Sequence, residues 1–206
     1  MRGLMVTRRH HYLPRFYLSG FTSTGKDTGR LHVFDMEGMS LRESIPSAEA
    51  WQKDYHRIDM PGVDADLYEK TLCQFEGDAA KAILDVTTDL TYSGDQLEMI
   101  LSFVTLSAVR VPWSRQRARE ALELRTGRPF NDVVTSQESW AKLEQWSISS
   151  IGPCKKWDTE RLAKDPVYHK AAVQAWNHHL MFRNQEDLFQ MLAERSWSML
   201  VPSFSS

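Results

Sequence analysis

Apolar and polar residues follow two different rhythms along this chain, and the change falls near residue 63. In the N-terminal part, Leu13 to Phe21 reads as a short helix with Pro14 in its first turn and Gly20 at its exit. Leu31-His32-Val33-Phe34-Asp35 then alternates and is followed by Glu37-Gly38, which predicts a hairpin returning through Leu41 to Ile45. Asp54 to Ile58 is expected to add a third short strand.

From Asp64 onward the period becomes helical. Asp64 or Asp66 caps a helix running to about Val86, and Thr91 or Ser93 caps the next, ending near Pro112. Further helices are expected over Ser114 to Thr126, Asn131 to Ser150 and Asp165 to Trp197, with Gly127-Arg128-Pro129 and Gly152-Pro153 as breaks. Leu97, Ile100, Leu101, Phe103, Val104, Leu106 and Val109 cover nearly the whole circumference of the helix from Gly94 to Arg110, the pattern of a centrally buried element. The expected class is α+β, mainly α: a small N-terminal antiparallel β unit (1–62) packed on a helical bundle (63–200) within one domain.

Length and composition agree with one sizeable core: 206 residues, 42% of them hydrophobic. No apolar run approaches the roughly 20 residues that span a bilayer, and the first residues lack a signal-peptide core, so a soluble cytoplasmic protein with no membrane partner is expected. Cys73 and Cys154 stand in no metal-type spacing and read as reduced thiols. Serine elbows, P-loops and dinucleotide fingerprints are missing, which disfavours the large enzyme classes they mark. Trp140, Trp146, Trp176 and Trp197 fall among apolar helical positions and read as core rather than base-stacking residues.

The formal net charge of −2 argues against general nucleic-acid affinity, but the charges are uneven. No acid precedes Asp27, and a second basic stretch runs from Arg110 through Arg115, Arg117, Arg119, Arg125 and Arg128. Should the two meet, they form an anion-attracting face. Taken alone, the second reads as a solvated helix surface.

Candidate chemistry concentrates on two helices and the N-terminus. At about 100° per residue, Leu72, Cys73, Ala80 and Ile83 share one stripe, and Glu69 and Glu76 fall inside it, two turns apart. Buried carboxylates need a cation, a metal or several donors, and Arg110 lines up with the apolar positions of the next helix as their expected partner. His10, His11, Arg9, Arg15, Tyr17, Tyr55 and Arg57, carried by the N-terminal unit, complete a polar pocket. In it His11, Glu69, Glu76 and Arg110 are the catalytic candidates and Arg9, His10, Arg15, Tyr17, Tyr55 and Arg57 the ligand-binding ones. Two carboxylates and an imidazole suit a divalent metal, and paired arginines suit a phosphate. The expected function is binding or hydrolysis of a phosphate-bearing ligand, a nucleotide or nucleic acid. The alternative is a non-catalytic interaction or regulatory module in which these residues form a structural buried network. His178 and His179 diverge by about 100° on their helix and are expected to be partly exposed.

His11-Tyr12-Leu13-Pro14-Arg15-Phe16-Tyr17-Leu18 with Phe21, then Leu31 to Asp35, Asp54-Tyr55-His56-Arg57, Glu69 and Glu76, and Phe103 through Arg110-Val111-Pro112, occur in that order. Together they resemble the bacterial domain-of-unknown-function family 4238, over most of the first 115 residues. The resemblance implies that these polar positions belong to the family's motif. It also implies a C-terminal truncation, because members continue past a helix end like Arg195 to Leu200 into strands with a Thr-Ser-Asp-x-Pro motif, whereas this sequence stops at Ser206. An edge exposed by that loss would favour self-association.

Overall fold

The computed structural model describes residues 8–59, 64–142 and 158–198, and within them the chain is α+β and mainly helical. The N-terminal unit holds two separate antiparallel strand pairs. Strand β1 (Arg9–His11) pairs with β4 (Trp51–Lys53) in the register Arg9↔Lys53, His10↔Gln52 and His11↔Trp51. Between them run helix α1 (Arg15–Ser19), the hairpin of β2 (Leu31–Asp35) and β3 (Ser40–Ser44), and a single 3-10 turn, Pro46–Ala48. The hairpin is the one the alternation predicts. Its turn is held by Asp35 Oδ1, which accepts from the backbone N–H groups of Glu37 and Gly38 at 3.0 and 3.2 Å.

The third predicted strand is displaced. Asp54 adopts φ 56°, a left-handed conformation that aspartate tolerates, so the chain turns there and the paired residues are Trp51–Lys53 instead of Asp54 to Ile58. Helix α1 is also shorter than expected, with Pro14 as its N-cap and Gly20 as its C-cap.

Helix α2 (Leu67–Asp89) ends on Leu90 in the left-handed region, and α3 (Gly94–Val109) begins in a reciprocal capping box between Ser93 and Gln96. Pro112 opens α4 (Pro112–Thr126), and Gly127 at φ 63° closes it. The long helix expected from Asn131 is interrupted: α5 (Phe130–Val134) stops at Thr135, and Ser136 Oγ accepts from the Ser139 amide at 3.4 Å as helical residues 137–142 (α6) begin. The remainder of that expected helix, with Trp146, Gly152-Pro153 and Cys154, lies outside the described residues. Asp158 caps α7 (Thr159–Lys164), and Asp165 caps α8 (Pro166–Ala193), which ends before Trp197.

Helix α8 packs against α3, α4, α5 and α7 and is the spine of the bundle. Phe130, Val133, Val134, Trp140, Leu162, Tyr168, Ala172 and Trp176 form one apolar cluster, with the Trp140 and Trp176 rings edge to face at 5.4 Å. Leu72, Leu106 and Met181 join α2, α3 and α8 in a second. Trp197 departs from the core expectation: it lies at the surface, its indole donating to the Leu192 carbonyl. Helix α3 is not buried all round, since Val104 is 47% exposed while Leu101, Phe103, Thr105 and Leu106 face inward. On α2 the buried stripe is Leu72, Ala79, Ala82 and Val86, so Cys73, Ala80 and Ile83 lie beside the core and not within it. No helix of the described residues is long and apolar enough to cross a membrane.

Candidate functional site

Strand alternation decides what β1 offers to each side. His10 is fully buried, whereas Arg9 and His11 point the other way, into a cleft of about 560 Å³. Arg15 and Phe16, on the first turn of α1 just past Pro14, form the adjoining wall, with Ser47 of the 3-10 turn. The facing wall is α2. Glu69, Cys73, Glu76 and Ala80 follow one another at spacings of four, three and four, one continuous stripe, and Gly77 beside them leaves the cleft open. The sequence therefore groups the right α2 residues but assigns their stripe to the core; it is the wall of a cleft.

Arg110 stands behind that wall. Its side chain is 1% exposed, Nη1 donates to Glu76 Oε1 at 2.7 Å, and Nε donates to the Tyr12 carbonyl at 2.5 Å. Its own carbonyl, at the end of α3, accepts from the Tyr55 hydroxyl at 2.7 Å. One residue thus ties the turn after β1, α2, α3 and the segment after β4 together, and its charge offsets that of Glu76.

Among the described residues no such cation pairs with Glu69. Burial and the neighbouring Glu76 push its carboxyl up to about 7, against a smaller opposing pull from Arg110. Burial and the nearby Arg15 hold His11 below the ordinary imidazole range, despite a hydrogen bond with the Ser47 backbone. The Cys73 thiol is raised by burial and by Glu69 and Glu76, so it stays protonated at neutral pH. At pH 7 the cleft holds the Arg9 and Arg15 guanidinium groups, a neutral imidazole, the Glu76 carboxyl paired with Arg110, and in Glu69 a carboxyl poised between its two forms. Arg9 also lies over the Trp51 ring at 4.4 Å, and Arg15 pairs with Asp27.

Six of the residues expected at the site gather here: Arg9, His11, Arg15, Glu69 and Glu76 line the cleft, and Arg110 braces it. Four do not. His10 turns inward and accepts from the His56 amide at 2.8 Å, because it is the middle residue of a three-residue strand. Tyr17 packs on Phe21 and Phe103, one helical step away from the cleft. Tyr55 is 5% exposed and spends its hydroxyl on Arg110. Arg57 pairs with Asp59 at 2.6 Å and Asp66 at 3.0 Å, at the rim of a separate depression shared with Lys170. His178 is fully buried instead of partly exposed, because the inward face of α8 carries polar residues beside apolar ones. Among the described residues, no three His, Cys, Asp or Glu side chains group as a set that could hold a metal ion, His11, Glu69 and Glu76 included.

A family model described as a protein of unknown function, DUF4238, matches residues 9–205. The chain belongs to the DUF4238 family. The match includes both cleft walls, the bracing arginine and the whole helical part, well beyond the first 115 residues. No curated protein and no solved structure matches this DUF4238 chain.

Proposed function

We propose that the cleft binds a phosphate-bearing ligand, a nucleotide or a nucleic-acid end, and that Glu69 serves there as acid and base in hydrolysis of a phosphate ester. The supporting observation is the opposition across one cleft of Arg9, Arg15 and His11 to a carboxyl raised to about 7. Guanidinium groups offer paired donors to phosphate oxygens; Arg110 offsets the charge of Glu76 as Asp27 offsets that of Arg15, and Arg9 leads the attraction for an entering anion. As its carboxylate, Glu69 takes a proton from water while the water oxygen bonds to phosphorus. The phosphorus–oxygen bond to the leaving group breaks, and the proton passes to that oxygen, restoring the carboxylate. His11, neutral and with its N–H given to the Ser47 backbone, forms an uncharged part of the wall.

Binding of ATP, AMP and a short single-stranded oligonucleotide, with phosphate or nucleotide release followed in parallel, tests the proposal. Arg9→Ala with Arg15→Ala is expected to weaken binding at least tenfold, and Glu69→Gln to abolish release while leaving binding. Failure of the folded protein to bind any of the three probes overturns it. The rival function, a non-catalytic interaction or regulatory module, draws on the three-sided capture of Arg110 by Glu76, Tyr12 and Tyr55, which is architecture sufficient in itself.

A further inference from the structure

Three fully buried histidines from distant parts of the chain form a row beneath the cleft. His10 of β1 stacks on His56, with centroids 5.8 Å apart and planes within 8°, and His56 stacks on His178 of α8 at 5.6 Å. Tyr68 of α2 closes the row, its ring 4.0 Å from that of His178. His56 Nδ1 and His178 Nε2 share one hydrogen bond at 3.4 Å, so one ring must donate and the other accept. Whichever does so, His56 Nε2 and His178 Nδ1 remain buried with no hydrogen-bond partner among the described residues.

From this geometry we infer that the His56–His178 pair is an acid-sensitive latch, whose protonation releases β1 and β4 from the helices and takes the cleft apart. Protonating the donating ring would leave its outer N–H buried without an acceptor, and protonating both rings would set two donors against each other at the bond they share. The charged and titratable groups acting on the pair oppose the new charge, His10 from β1, Arg110 from the end of α3 and Arg115 from α4, while Tyr55 from the segment after β4 and Tyr68 from α2 pack their rings against it. Burial, followed by the neighbouring histidine and arginines, holds His56 well below the ordinary imidazole range; burial, followed by Arg115 and His10, does the same to His178. His10 and His11 are consecutive in β1, so displacing the first moves the second out of the cleft. What the latch governs rests on the cleft being an anion site; the latch itself does not.

The sign follows from the direction of these shifts. A folded state that refuses protons accepted by the unfolded chain loses stability as pH falls below the ordinary histidine value of about 6.5. Each such histidine costs about tenfold in the folding equilibrium constant per pH unit. Urea denaturation at pH 7.5, 6.5 and 5.5, without ligand, reads this slope for the wild type, His56→Gln, His178→Gln and the exposed control His32→Gln. Each latch variant is expected to lose about tenfold per pH unit of the wild-type dependence, and the control none. Latch variants with the wild-type slope overturn the inference.

If the variants do not fold, imidazole nitrogen spectra of the wild type decide. The two rings are expected to stay neutral until the β1 amides lose protection, and titration near 6.5 with β1 intact overturns the inference. Phosphate-probe binding at pH 7.5 is a separate measurement, so either result can fail alone.

Discussion

Arg110 Nη1 donates to Glu76 Oε1 across 2.7 Å, with the arginine side chain 1% exposed and the glutamate 21%. The asymmetry means that loss of the glutamate strands a buried cation, whereas loss of the arginine leaves a carboxylate that water still reaches. Glu76→Ala is therefore expected to destabilise by about 3 to 5 kcal/mol, and Glu76→Gln, which keeps an acceptor, by about 1 to 2. Urea denaturation at pH 7 checks the order. Equal effects from the two variants would mean that the charge pair is not what holds the helices.

Glu69 has no cation of its own among the described residues, and its folded-state value of about 7 lies above the ordinary 4.5. The folded protein thus keeps a proton that the unfolded chain has shed, a stabilising contribution that is full below about pH 4.5 and lost as pH rises toward 7. Above pH 7 the buried carboxylate is a net cost. Glu69→Gln is expected to raise stability at pH 8 by about 1 to 2 kcal/mol, the cleft's solvent having screened part of the effect, and to leave it nearly unchanged at pH 4.5. Stability curves at the two pH values read the difference.

The Tyr55 hydroxyl is buried and commits its proton to the Arg110 carbonyl at 2.7 Å, while its ring packs on Tyr12 and carries the Arg115 guanidinium at 3.7 Å. Tyr55→Phe keeps the ring and removes the bond, at an expected cost of about 1 to 2 kcal/mol. A thermal melt that did not move would mean that the carbonyl finds another donor.

Leu90 closes α2 at φ 54° and is 55% exposed, so it bears left-handed strain with little burial in return. Leu90→Gly is expected to stabilise by about 0.5 to 1 kcal/mol. Thermal denaturation of the variant should show a rise of a few degrees, and a fall would mean that the leucine side chain contributes more packing than its exposure implies.

The helical half of the chain was legible because its signals are local. Ser93 and Gln96 announce the start of α3 within four residues, and the spacing of Glu69 from Glu76 puts both on one face wherever α2 lies. Which face meets the core is a tertiary property, and the apolar neighbours of Glu69 pointed to the wrong stripe. Strand β1 was invisible for a related reason. Three residues ahead of a proline have no period to read, and the partner strand is some forty residues further on. The burial of His178 likewise depends on His56, 122 residues away, and no pattern within α8 records it.

That separation also bears on how the protein is made. At about 5 to 20 residues per second, a ribosome that has just added His56 needs roughly 6 to 24 s to reach His178, counting 122 residues between them. Throughout that interval His56, on which His10 of β1 stacks, lacks the His178 ring on its other side. Both walls of the cleft, carried by residues 9–80, are thus synthesised before the helix that seats His56 from its other side.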